Sequence, residues 1–380
     1  MSELFDATEI NGMALSNRFV RSATWEGMAT EDGAPTAQLI DLMEKLAGGG
    51  VGLIISSATY VRPDGQSHRK MLGIYKDELI DKHKRMTEAV HKQDTKIVMQ
   101  IHHGGFFANS KLTGQIPLAP SEVEDSVNWK LPTGRKMSTV GKEMSLEIIQ
   151  DIIEAFTSAA KRAKESGFDG IQIFAGHGYL LSQFLSPAFN KRTDAYGGSL
   201  ENRARIVMEV MEKVRIEVGR DYPILVKINS EDFLNEGLTL DESLGVCAML
   251  YEGGVDAIEL SGGTWVSGDL RPSRKQINSP DKEAYFKEAA RALKEKVNIP
   301  LILVGGIRSF QIADLLIEEG VADYISMCRP LIREPGLIKQ WKAGNLTKAA
   351  CISCNKCPEP GHAGEGIYCL AERRLKEKTK

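Results

Sequence analysis

The sequence is poor in cysteine, with six thiols in 380 residues, and four of them stand together at Cys351, Cys354, Cys357 and Cys369. A chain with so few thiols spread elsewhere is not built on a disulfide framework, so the terminal group reads as a ligand set. There is no basic surplus either. The 48 Lys and Arg face 51 Asp and Glu, for a net charge of −3, which excludes a nucleic-acid footprint. No run of about 18 apolar residues occurs, so no membrane span is expected. The opening residues, MSELFDATEINGM, lack a basic n-region and an apolar h-region, and no signal peptide is expected. Internal repeats and low-complexity tracts are missing. With 42% hydrophobic and 26% charged residues, the expectation is a soluble, cytoplasmic protein of enzyme size.

What is there is a regular beat of short apolar runs and helical patterns. The runs are RFVRSA (18–23), VGLIISSA (51–58), KIVMQIH (96–102), GIQIFAG (170–176), PILVKINS (223–230), AIELSGG (257–263), PLILVGG (300–306) and YISMCRP (324–330). Most are continuous, as strands buried on both faces should be. The clearest helix follows Ser199, a candidate N-cap, with the stripe Ile206, Val207, Val210, Met211, Val214 and Val218 ending at Gly219. Eight β-then-α units predict a single (β/α)8 TIM barrel over residues 1–345, followed by a cysteine-rich segment and charged tail over 346–380. A doubly wound sheet is the alternative, but no GxGxxG follows the first strand. Residues 103–144, between the third strand and its helix, show no sustained period. They are expected to form a rim or lid over the C-terminal mouth, where barrel enzymes keep their sites.

Polar residues and glycines gather where these strands end. Gly305 and Gly306 after the seventh strand, with Cys328 and Arg329 after the eighth, have the makings of a barrel phosphate cradle. A tight turn is the plainer reading of the glycines. Gln100 and Lys227 offer an amide and an ammonium to a heterocycle with carbonyl groups. Lys227 alone could instead be an ion-paired core residue. His177 and Tyr179 stand two apart and, in extended geometry, present two proton donors on one side. Structural packing is the alternative for both.

The segment SPAFNKRTDAYGGSLENR, with QIHHGG (100–105), LSNRFV (15–20) and VGGIR, resembles the old yellow enzyme family of FMN-dependent oxidoreductases along nearly the whole chain. The resemblance implies FMN over the barrel mouth, with its phosphate on the Gly305–Gly306 and Cys328–Arg329 loops. Gln100 and Lys227 would meet the pyrimidine edge, and Ala23, Thr24 and Trp25 would follow the first strand to the flavin. NADH or NADPH would stack on the flavin as a transient reductant and leave. Family members that reduce C=C bonds hold the substrate carbonyl with two donors three residues apart. Here those positions are Phe174 and His177, so one donor is missing and Tyr179 becomes the leading proton donor. Trp25 stands where the family usually has Thr or Cys.

The spacing C-x2-C-x2-C-x11-C suits a [4Fe–4S] cluster, and equally a tetrahedral zinc. It is similar to that of the cluster-bearing branch of the family, which includes 2,4-dienoyl-CoA reductase and trimethylamine dehydrogenase. The chain stops at Lys380, before the nucleotide-binding domains of that branch. The expectation is therefore a homo-oligomer or a separate electron-transfer protein as redox partner. Three functions follow: reduction of an activated C=C bond, alkylamine oxidation, or electron carriage without an organic substrate. Tyr60, Phe174 and Trp265 are the candidate substrate contacts, and in the amine reading the aromatic rim would cage a cation.

Overall fold

The computed structural model describes residues 2–122 and 140–378. The centre of the expected rim and the last two residues of the tail lie outside them.

Eight parallel strands close into a barrel in chain order: β1 Phe19–Arg21, β2 Leu53–Tyr60, β3 Lys96–His102, β4 Gly170–Ala175, β5 Ile224–Asn229, β6 Ala257–Ser261, β7 Leu301–Val304 and β8 Tyr324–Met327. The seam is made by β8 and β1, with Ile325 opposite Phe19. Seven strands lie within the apolar runs, and β2 extends two residues beyond its run, to Tyr60. The helices α1 Ala37–Ala47, α2 Ile80–His91, α3 Leu146–Glu165, α4 Leu200–Val218, α5 Leu240–Glu252, α6 Lys287–Lys296, α7 Phe310–Glu318 and α8 Leu337–Lys342 follow the strands in turn.

Local chemistry sets their ends. The Ser199 hydroxyl accepts from the Asn202 N–H at the start of α4, and Gly219 ends that helix at φ +84°. All six residues of its apolar stripe are buried, at roughly 1.5–3 kcal/mol for each large side chain. Thr239 and Glu242 form a reciprocal capping box on α5.

Side chains alternate in and out along a strand, and inside this barrel the alternation builds layers. Val20, Leu53, Val98, Leu225, Ala257, Ile302 and Tyr324 pack together as an apolar bottom layer. The antiparallel hairpin Thr8–Ile10 and Met13–Leu15 adds Ile10, Met13 and Leu15 to it, and the Tyr324 hydroxyl donates to the Glu9 carbonyl at 3.0 Å. Two residues further along the strands, the inward positions become Ser22, Gln100, Lys227, Glu259 and Ser326. Two further again they are His102, Asn229 and Ser261. On β4 the same steps are Gln172 and Phe174.

Two segments carry local structure that the sequence pattern did not indicate. The rim after β3 is not featureless, since it holds a helix at Ser110–Thr113 ended by Gly114 at φ +68°. Its stem is closed by Leu118–Ala119 pairing with Lys142–Glu143. The charged tail is not simply solvated coil. It forms a helix, Leu370–Lys378, braced by the i,i+4 pairs Arg373–Glu377 and Glu372–Lys376. Among the described residues, no helix is long and apolar enough to cross a membrane.

Candidate active site

The middle layer is a closed polar network. Glu259, fully buried, takes the Ser22 and Ser326 hydroxyls on Oε1 at 2.7 and 2.9 Å and the Gln172 amide on Oε2 at 2.9 Å. Lys227 lies 3.2 Å from Oε1 and donates to Ser22 Oγ at 2.9 Å, and Gln100 donates to Gln172 at 2.7 Å. Burial pushes the Glu259 carboxyl up. The charge of Lys227 and the three donors outweigh this and hold it below the usual carboxylate range. Lys227 is thus an ion-paired interior residue, and Gln100 reaches it only through Gln172 and Glu259. Neither Gln172 nor Glu259 was anticipated. Their signal in the sequence was a polar residue at an inward position of an otherwise apolar strand.

The top layer carries the chemistry of the mouth. His177 does not continue β4 in extended form. Its backbone turns to φ +60°, followed by Gly178 at φ +80°, where a side chain would strike Phe107 and Thr264. The strained turn is held from both sides, because the His177 N–H donates to Asn229 Oδ1 at 2.9 Å and Nε2 meets Ser261 Oγ at 2.8 Å. Burial and the nearby Lys227 charge put the imidazole well below its usual pKa, so it is neutral at pH 7. Tyr179, 6% exposed, precedes the helix Leu180–Leu185. Phe174 touches both rings, at 5.2 Å from His177 and 5.3 Å from Tyr179. His102 stands edge-on to the phenol at 4.4 Å, while Phe107 and Trp265 each lie 6.3 Å from it. Burial raises the phenol far above its ordinary pKa, against a smaller opposing effect of the Trp265 indole. Tyr179 therefore keeps its proton at neutral pH.

Tyr60 is set elsewhere. It is buried, stacks on Tyr75 at 5.4 Å and packs against Gly73. Ala23 and Thr24 are half-buried just beyond β1. Trp25 is held between His68 at 5.0 Å and His362 at 4.7 Å, and its indole N–H donates to the Arg69 carbonyl. Its ring therefore ties the C-terminal segment to the barrel.

At the ends of β7 and β8, Gly305 and Gly306 have φ of +147° and +77°, and a Cβ on Gly306 would lie 2.7 Å from the Tyr285 ring. The Arg274 guanidinium covers the same ring at 4.5 Å, and Arg329 donates to the Arg274 carbonyl and to Asn355 Oδ1. Neither cation has a carboxylate partner among the described residues. Asn355 at φ +58° and Ser353 at φ +52° turn the cysteine loop back on itself, and the Asn355 amide donates to the Ser273 carbonyl at 2.5 Å. Cys351, Cys357 and Cys369 are buried and Cys354 partly so. Burial first, then the neighbouring thiols of Cys328, Cys351, Cys369 and Cys354, push the Cys357 thiol up to about 12. The four terminal thiols and Cys328 thus lie near enough for their charges to act on Cys357. Among the described residues, no three His, Cys, Asp or Glu side chains are disposed around a single metal ion.

Residues 3–348 match the NADH:flavin oxidoreductase / NADH oxidase family. The chain belongs to that family. An NADH oxidase of Thermoanaerobacter brockii is 37% identical over 93% of this chain and 52% of its own length. An NADPH dehydrogenase of Bacillus subtilis is 36% identical over 88% of this chain and 92% of its own. In structure, histamine dehydrogenase from Rhizobium sp. 4-9 superposes with a TM-score of 0.84 at 26% identity, covering 97% of this chain and 52% of that one. The chain thus spans about half the length of the Thermoanaerobacter protein. As a member of the flavin oxidoreductase family it has residues that fit FMN. Two glycines leave the N–H groups of the β7 turn free of side chains, and two guanidinium groups without carboxylate partners stand beside it, as a phosphate requires. The thiols are the ligand type that a soft metal takes, but among the described residues they are not disposed around one ion.

Proposed function

We propose that this chain is an FMN-dependent oxidoreductase that uses NADH or NADPH to reduce an activated C=C bond in an enone, enoate or dienoyl thioester. The observation that carries this reading is the meeting of a protonated phenol, Tyr179, and a neutral imidazole, His177, across Phe174 above a charged polar floor. FMN, when bound, supplies the hydride. Gly305, Gly306, Cys328 and Arg329, with Arg274, would hold its phosphate. Gln100 and Lys227 would border its pyrimidine edge, with Glu259 fixing the ammonium. Ala23 and Thr24 would flank the ring, while Trp25 is assigned to docking the C-terminal segment and Tyr60 to packing. The partner of His177 Nε2 is Ser261, which leaves Nδ1 for the substrate oxygen. Tyr179 gives its proton to the α-carbon. The rings of Phe107, Phe174, Tyr179 and Trp265 exclude water around the reacting carbon.

The gathered thiols would hold a [4Fe–4S] cluster, whose chemistry is the transfer of single electrons to a partner protein or a second subunit. Zinc on the same four ligands is the alternative. Alkylamine oxidation is a second reading, favoured by the aromatic ring around Tyr179 and by the structural likeness to histamine dehydrogenase.

One preparation tests both groups. Protein purified without oxygen is expected to carry noncovalent FMN at about one per chain, wholly released by acid, together with iron and sulfide. Cys354→Ser should lose iron and sulfide and keep FMN, because the proposed phosphate contacts come from Gly305, Gly306, Arg274 and Arg329 and not from the Cys354 thiol. Flavin retained in the acid precipitate, or FAD in the supernatant, contradicts the FMN assignment. Iron-free native protein contradicts the cluster.

A further inference from the structure

His102 ends β3 in the same inward layer as Phe174. Gln100 pairs with Gln172 and Ile101 with Ile173, so the next pair across the two strands is His102 and Phe174, whose rings are 5.7 Å apart. The imidazole is fully buried and stands perpendicular to the Tyr179 phenol. Its Nε2 is satisfied by Ser67 Oγ at 3.1 Å, while Nδ1 has no hydrogen-bond partner among the described residues. Buried side-chain nitrogens are nearly always paired, so an orphan on a catalytic wall asks for a ligand. His83 shows the same deficit, but on α2, where it packs against Phe168. Position is what separates the two. Trp265 offers a second N–H in the same ring of side chains: among the described residues its Nε1 has no acceptor at hydrogen-bond distance and is directed as a donor only at the Tyr179 phenol, whose ring lies 6.3 Å away.

Burial, with the charges of His103 and His68, keeps the His102 imidazole well below its usual pKa and hence neutral. In the tautomer in which the Ser67 hydroxyl donates to Nε2, the ring proton sits on Nδ1 and His102 is a donor there; that tautomer is part of the assignment below. The Nδ1–H of His102, with the Trp265 indole N–H in the same wall, calls for an acceptor. They suit an oxygen and oppose an ammonium ion.

Resting on the proposed reduction, we infer that His102 Nδ1 and Trp265 Nε1 donate hydrogen bonds to the activating oxygen of the substrate, a carbonyl, carboxylate or thioester oxygen conjugated to the reduced bond. The imidazole missing from β4 at Phe174 is thereby supplied by its neighbour on β3.

The test uses FMN-loaded protein and a ketone that cannot be reduced in this way. Cyclohexanone binding, followed by the flavin absorbance, should weaken about tenfold in His102→Phe, and reoxidation by cyclohexenone should slow by about 10²-fold. Reduction by NADH should stay within about threefold, and His102→Gln, which keeps a donor, should bind cyclohexanone within about threefold of the parent. Moving the imidazole back across the strands in His102→Phe/Phe174→His should recover most of the lost binding. Unchanged cyclohexanone binding in His102→Phe overturns the inference. If that variant does not retain FMN, Trp265→Phe takes its place, with the same tenfold weakening expected and unchanged binding overturning it. The ketone is bound without turnover, so failure of this assignment is distinguishable from failure of the reduction itself.

Discussion

Tyr179→Phe is expected to slow the reoxidation of reduced flavin by an enone by about 10²–10⁴-fold, the usual contribution of a positioned acid. The substitution removes one oxygen from a ring already packed against His102, Phe174 and Trp265, so the aromatic wall stays in place. Burial holds the phenol in its protonated form, and the other titratable group of that turn beside Phe174, His177, is neutral at pH 7. Flavin reduction by NADH or NADPH needs no proton from Tyr179 and should barely change. Stopped-flow measurement of the two half-reactions separates the outcomes. Equal slowing of both would make Tyr179 a structural residue.

Glu259→Leu should destabilise the protein by about 3–5 kcal/mol, because it leaves the Lys227 ammonium buried with no counter-charge. It also deprives Ser22, Ser326 and Gln172 of their acceptor, adding unsatisfied donors in the barrel interior. The pH dependence has a definite sign. The folded-state carboxyl titrates below its ordinary value of 4.5, so its contribution is full above that value and is lost as the pH falls through the folded one. Glu259→Gln, which keeps an acceptor but no titrating charge, should flatten this acid limb. Urea midpoints between about pH 3 and 7 measure both effects, and a Leu variant within about 1 kcal/mol of the parent would show that the pair is not worth its burial.

The eight strands were legible because a barrel strand is buried on both faces and reads as an unbroken apolar run. The α4 stripe and the caps at Ser199 and Gly219 were legible for the same local reason. The polar floor was not. Gln172 in GIQIFAG and Glu259 in AIELSGG each look like a single interruption, and only closure of the barrel brings them to Gln100 and Lys227. The turn at His177 was also hidden, since a histidine at φ +60° is held there by Asn229 and Ser261, which are far away in sequence. The same holds for Trp25. Its position after β1 suggested a role at the flavin, but the ring partners that fix it, His68 and His362, come from the β2 loop and the cysteine segment. In the terminal segment the spacing announced a ligand set, and the fold added Cys328, which no spacing could connect to it.

The central claim is that reduced flavin in this barrel passes hydride to a C=C bond conjugated to an oxygen acceptor. Anaerobic stopped-flow tests it most directly: the flavin is bleached with NADH or NADPH, then mixed with cyclohexenone while its absorbance is followed. The expected result is reoxidation at a rate that rises with cyclohexenone, with no bleaching of oxidised flavin by alkylamines. Flavin that stays reduced in the presence of the enone, but is bleached by an amine in the absence of nicotinamide, would contradict it.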